Sequence, residues 1–233
     1  MSEIDASKLP SLDQFSGLLS DRVYQALRGA IVSMNFFPGE IIRKAAICEH
    51  LGVSRSPVAD ALTKLSGEGL VDIIPQSVTR VTRFSMQTIR EESFLREALE
   101  VAAVAKAAEE RTETQLARIS RCVRMQAMLV EDGEYAEFYR SDEEFHQLIL
   151  DCTGISRLPA TIDRLSLQVQ RIRLLLLPEP GRAADTVEEH RLILDAIKAQ
   201  DVDAAKAAMR THLRQLMKRL EPLEKERPGL FVS

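Results

Sequence analysis

Apolar residues return at helical spacing along almost the whole chain, and the places where that rhythm stops divide it. Residues 1–16 are polar and without helical period, which predicts a loose, flexible arm. From Ser20, the positions Val23, Leu27, Ala30 and Ile31 mark one face of a helix, with Asp21 in its first turn, and Pro38-Gly39 stops it. A short second helix is predicted over about 43–51, with Ala46, Ile47 and Leu51 inward and Gly52 closing it. Ser54 is a suitable N-cap for a third helix, whose apolar face is Val58, Ala61, Leu62 and Leu65; Pro57 falls in the tolerated first turn. Residues 70–74 and 78–83 are short β-like stretches around Pro75-Gln76-Ser77, a small hairpin.

Helix, helix, tight turn, helix, hairpin is the order of a winged helix-turn-helix, placed here over 17–83, with Gly52 where the turn needs a left-handed residue. From Ser85 onward strand signals vanish. Helical periodicity covers roughly 86–111, 114–131, 135–151, 157–177, 186–199 and 202–220, with breaks at Gly133, Gly154, residues 178–181 and Gln200-Asp201. The expected fold is therefore mainly α. Behind the winged domain stands an all-α antiparallel bundle of six to seven helices over 84–233, long enough at about 150 residues to bury its own core.

Composition agrees: aromatics are 5% of the chain and Trp is absent, a bias toward helix over sheet. Cys48, Cys122 and Cys152 are odd in number and far apart, as expected of reduced thiols in a cytoplasmic protein. The start, MSEIDASKLP, has neither a basic cluster nor an apolar core, so no signal peptide is expected, and no apolar run approaches the ~20 residues of a membrane helix. Net charge is −4, which read globally argues against a nucleic-acid partner. Read by segment it does not. Residues 22–83 hold eight basic against five acidic residues, +3, whereas 84–233 hold 22 basic against 26 acidic, −4.

On the third predicted helix Arg55, Ser56, Thr63 and Lys64 lie opposite the apolar stripe, with Ser54, Arg55 and Ser56 at the N-terminal end that such helices present to base edges. An Arg holding guanine through two bonds contributes ~1–3 kcal/mol of discrimination. Arg43, Lys44, Arg80 and Arg83 are candidates for phosphates; ordinary solvated charges would look the same.

Three of the four histidines lie in the helical part. Asp142 and His146 share one helix face, and His190 and His212 each stand eleven residues from the turn near 201, level with each other across the hairpin. If the 135–151 helix packs alongside, one carboxylate and three imidazoles converge, a donor set suited to Zn²⁺, Ni²⁺ or Mn²⁺. Singly, a helical histidine is more often a satisfied core or surface residue. Such an ion with open positions would serve a sensor, a purely structural site, or a metal-dependent enzyme activating water.

Several stretches resemble the GntR family of bacterial transcription regulators: Val23-Tyr-Gln-Ala-Leu-Arg28, Phe37-Pro-Gly-Glu40, the run Ile47 to Val58, Ala61-Leu-Thr-Lys-Leu65 and Glu68-Gly-Leu-Val71. Beyond them, Arg96-x-x-Leu99-Glu100, Asp142-x-x-Phe145-His146, Glu189-His190 and His212 resemble the metal-binding FCD ligand-binding domain of FadR-type members. The resemblance implies that Arg55 contacts a base or phosphate and Arg43 the DNA backbone, and that Asp142, His146, His190 and His212 hold a divalent ion. It further implies a ligand-responsive regulator, expected to be a repressor. One small reader on a half-site binds weakly, so a homodimer on a palindromic operator is expected; hard oxygen donors can replace metal-bound water, so the expected effector is a small carboxylate, with Arg96 as its second partner, a placement the resemblance supports. Arg171 and Arg173 are rivals to Arg96 by spacing, and Arg96 has Glu100 one turn away as a bland partner. Four positions depart from the family pattern: Ala59 where Arg is usual, Ser77-Val78 in place of Arg-Gly, and Ile155 in place of Asn.

Overall fold

The computed structural model describes residues 2–176 and 181–232. Two compact units result, Met1–Met86 together with Glu226–Ser233, and Gln87–Lys225.

In the first unit, α1 (Leu19–Val32), α2 (Lys44–Leu51) and α3 (Arg55–Gly67) bury Val23, Leu27, Ile31, Ile47, Val58, Leu62 and Leu65 against one another. Gly52 closes α2 at φ 64°, and the Val53 N–H returns to the Cys48 carbonyl at 3.0 Å, which makes the tight turn into α3. Strands β1 (Val71–Ile74) and β2 (Val78–Val81) pair antiparallel, with Val71 opposite Val81 and Ile74 opposite Val78. Gln76 takes φ 58° at the hairpin tip.

The N-terminal arm differs from expectation. Ile4, Leu9 and Leu12 are buried, Asp5 and Ser11 cap two short 3₁₀ turns, and the Ile4 N–H donates to the Ile41 carbonyl at 3.0 Å. Backbone pairing and three apolar side chains order a segment that has no helical period to betray it. At the other end, the Phe84 N–H donates to the Leu230 carbonyl (2.9 Å) and the Val232 N–H to the Phe84 carbonyl (2.8 Å), with the Phe84 and Phe231 rings 5.7 Å apart. Residues 226–232 thus join the winged unit rather than the bundle, to which the reading of 84–233 as one domain had given them.

The second unit is helical throughout: α4 (Met86–Glu110), α5 (Glu113–Glu131), α6 (Tyr135–Asp151), α7 (Leu158–Leu165), α8 (Leu167–Leu176), α9 (Arg182–Ala199) and α10 (Val202–Glu226). Helix α5 opens on a capping box between Thr112 and Gln115 and packs along α6 and α9. Val104, Ile119, Phe145, Ile149, Ile193 and Met209 form the core.

The single helix expected over 157–177 is two. Ser166 (φ −129°) breaks it, its hydroxyl donating to the Ile162 carbonyl at 2.6 Å. The next helix starts on a carboxylate from α4: Glu92 Oε2 accepts from the N–H groups of Gln168 and Val169 at 2.9 and 3.0 Å. Helix α10 runs six residues beyond its expected end, through Pro222, because Leu220 and Leu223 are buried on its far side. The break expected over 178–180 lies outside the described residues.

Candidate functional site

Helix α6 buries Asp142 and His146 on one face, α9 buries His190, and α10 buries His212. The three imidazoles meet inside the bundle, each offering a nitrogen within 4.8 Å of the others. His146 Nε2 and His212 Nε2 are 3.3 Å apart, and Asp142 Oδ1 is 3.7 Å from His190 Nε2. Phe145 stacks on the His190 ring with centroids 3.9 Å apart, which fixes its plane.

Each ring is also held from behind. His146 Nδ1 meets Glu100 Oε2 at 2.5 Å, His212 Nδ1 meets Glu189 Oε2 at 2.6 Å, and His190 Nδ1 meets Gln126 Oε1 at 2.8 Å. Ionised carboxylates only accept, so the first two rings carry their protons on Nδ1. The Gln126 amide is oriented by its own donor, Nε2, which is 2.9 Å from the Ser141 carbonyl, and its oxygen therefore accepts from His190. Burial, then the neighbouring His212 and His146, hold His190 well below the ordinary imidazole range; burial and His146 do the same for His212. In the neutral rings of His190 and His212, with Nδ1 protonated, Nε2 presents a bare lone pair inward.

That arrangement fits a cation. Nitrogens ~2.1 Å from a tetrahedral ion stand about 3.4 Å from each other, close to the 3.3 Å between His146 Nε2 and His212 Nε2. His190 Nε2 is buried with no hydrogen-bond partner, a costly state that a metal–nitrogen bond would relieve.

A small cavity opens on this cluster, with Asp142, His212, Arg96 and Arg173 in its lining. Arg96 pairs with Glu100 at 2.5 Å, but the pair is buried and not the surface contact that one-turn spacing suggested. Burial pushes the Glu100 carboxyl up, yet the charges of Arg96 and His146 outweigh it and hold the group well below the usual carboxylate range. Arg173 makes an ion pair with Asp142 and lies 3.6 Å from Glu143; burial and then Arg96 bring its guanidinium down to about 10. Its rival Arg171 is buried outside the cavity wall, bonded to Gln168 at 2.9 Å.

The sequence reading of the ligands missed what holds the rings. Glu100 was visible only as a partner for Arg96, and Glu189 only as a neighbour of His190. Gln126 gave no signal at all, because nothing marks a polar residue on α5 until α6 and α9 are in place.

On the winged unit, Lys44, Ser54, Arg55, Ser56, Thr63 and Lys64 are exposed around the starts of α2 and α3 and along the outer face of α3. Ser54 stands at the N-cap of α3, but its hydroxyl makes no capping bond. The Thr63 hydroxyl donates back to the Ala59 carbonyl at 2.9 Å, and Lys64 pairs with Asp21 at 2.5 Å. Arg43 pairs with Glu3 at 2.8 Å and Arg80 with Asp72 at 3.1 Å, so two of the four phosphate candidates already hold carboxylates.

A winged helix-turn-helix joined to a helical bundle with an internal histidine cluster is the build of a bacterial transcription regulator. Two family descriptions match: "Bacterial regulatory proteins, gntR family" over residues 19–81 and "FCD domain" over 93–215. The chain belongs to the GntR family of DNA-binding transcription regulators, with the FadR-type architecture, and is not an enzyme. It is 29% identical to the HTH-type transcriptional repressor RspR of Escherichia coli, over 91% of this chain and 93% of that protein. A regulator encoded in an unstable DNA locus of Streptomyces ambofaciens is 30% identical over 91% of this chain and 89% of its own. Among solved structures, Escherichia coli McbR/YncC superposes with a TM-score of 0.75 over 89% of this chain and 99% of that one, at 22% identity, a likeness of fold.

Proposed function

We propose that this regulator senses a small carboxylate through a divalent ion held by Asp142, His146, His190 and His212. The observation that carries the reading is the set of three inward Nε2 atoms whose Nδ1 partners, Glu100, Gln126 and Glu189, fix the ligating tautomer. A donor set of three imidazoles and one carboxylate without thiolate suits zinc, nickel or manganese. Bound there, the ion supplies positive charge and open coordination positions for a carboxylate oxygen, and Arg96 and Arg173 on the cavity wall clamp the same group. The winged units read a palindromic operator as a cytoplasmic homodimer, with Arg55 and Ser56 at base edges and Ser54, Thr63, Arg43, Lys44 and Arg80 at phosphates and flanking positions. A repressor named among the relatives supports repression as the sense of control.

Replacing His190 and His212 together by Ala tests this. Metal content by mass spectrometry should fall from one ion per chain to none, and the carboxylate response in an operator mobility shift should vanish with DNA binding retained. A double variant that keeps a stoichiometric ion and responds normally overturns the site.

A further inference from the structure

We propose that Glu3 and Asp72 are internal competitors for DNA phosphate. Each carboxylate holds an arginine that would otherwise be open to the DNA backbone, and so limits how tightly the winged unit binds DNA of any sequence. The proposal rests on the reading of Arg43 and Arg80 as phosphate contacts and adds what restrains them.

The two ion pairs share one surface. Glu3 bridges to Ile41 in parallel, Ile41 bridges to Arg80 in the antiparallel sense, and Arg80 stands opposite Asp72 in the β1–β2 register. Four short segments thus lie side by side, and residues opposite each other across such a ladder point to the same side. Arg43, two residues beyond Ile41 along extended backbone, falls on that side as well. The Ile41 N–H donates to the Ser2 carbonyl at 2.9 Å and the Ile42 N–H to the Thr79 carbonyl at 2.8 Å, so the arm and the hairpin are both tied to this segment. With ~4.8 Å between neighbouring strands, the backbones of Glu3 and Arg80 stand about 10 Å apart.

On this surface each arginine has its acid. Nε and Nη2 of Arg43 are both 2.8 Å from Glu3 Oε1. Arg80 Nε donates to Asp72 Oδ2 at 3.1 Å, and the Thr82 hydroxyl donates to Asp72 Oδ1 at 3.2 Å, which aims the carboxylate. The buried Ile4, Leu9 and Leu12 keep the arm, and with it Glu3, in place. Lys44 and Arg55, by contrast, are exposed and hold no carboxylate among the described residues. A paired arginine shows a distant phosphate almost no net charge, because the fields of the two opposite charges cancel. Close in, the phosphate must displace the carboxylate, which is then left beside the DNA and takes up a cation from solution. Each such site therefore releases about one counterion fewer than an open arginine would.

The test titrates a labelled duplex of scrambled sequence with the full-length protein, followed by fluorescence anisotropy at about 50 and about 200 mM salt. Glu3→Gln and Asp72→Asn are each expected to tighten binding about two- to five-fold at the lower salt, the effect of losing one exposed ion pair's competition. Each should also steepen the fall of log K with log salt by about one per subunit. Glu49→Gln removes an exposed acid of α2 that holds no Lys or Arg among the described residues, and should change the slope far less. Unchanged or weaker binding in Glu3→Gln overturns the proposal for the arm, and in Asp72→Asn for the wing. An equal gain in Glu49→Gln reduces both to bulk charge and overturns them together. Arg43→Gln and Arg80→Gln separate this proposal from the reading beneath it. If neither weakens binding, the phosphate contacts themselves are wrong; if both do while the carboxylate variants match wild type, only the restraint is.

Discussion

Gln126 is neutral and buried on a helix that supplies none of the four candidate ligands, yet it decides which nitrogen of His190 bears the proton. Its amide works in series: Nε2 is committed to the Ser141 carbonyl, so Oε1 is committed to His190 Nδ1. Gln126→Met keeps the approximate volume but deletes both commitments. Metal affinity measured by chelator competition should fall about 10- to 100-fold, the usual cost of losing a partner that orients a ligand. An unchanged affinity would show that Phe145 stacking alone orients the ring. The candidate DNA contacts teach the opposite lesson. Thr63, Arg43 and Arg80 are polar and on the correct side, yet each has a partner within the chain: the Ala59 carbonyl one turn back, Glu3 and Asp72.

Among the elements, those with strong period were legible and those set by tertiary bonds were not. The helices of the winged unit, its hairpin and the long bundle helices follow from the 3.6-residue rhythm and from Gly52, Ser54 and Pro75. The level placement of His190 and His212 followed from counting residues about one turn, and their rings do meet at 4.7 Å. The division of α7 from α8 was not legible, since the carboxylate that caps the start of α8 after the break at Ser166 is Glu92, 76 residues away. That contact carries a pH signature. Burial pushes the Glu92 carboxyl up to about 7, against the bonds from Val169 and Gln168 and the charge of Arg171. Between its ordinary 4.5 and that value the native state binds more protons than the unfolded chain, so this residue lowers stability as pH rises through the window. Glu92→Gln should flatten that part of the profile, by about 1–2 kcal/mol once partial exposure is allowed for. Denaturant midpoints of both proteins at pH 5 and pH 7.5 check it; parallel profiles would refute the assignment.

At the scale of the molecule, the charge split seen in the sequence survives: the residues that present Arg55 and Lys44 come from the basic stretch, and the histidine cluster from the acidic one. The boundary between units, however, is not one cut. The chain leaves the winged unit at Met86 and re-enters it at Glu226, where Phe231 and Val232 lie along Phe84. No sequence signal marks this, because a short apolar tail pairs by backbone bonds whose partner sits some 150 residues earlier. Anyone shortening the gene to isolate a DNA-reading fragment will meet the consequence. A piece ending at residue 86 omits one wall of its own core, the buried Phe231 side chain and two backbone hydrogen bonds, together worth about 2–4 kcal/mol. Fusing residues 226–233 to that piece through a flexible linker should raise its melting temperature by several degrees, and equal melting of the two pieces would contradict it. The smallest intact reading unit of this protein is therefore encoded in two places.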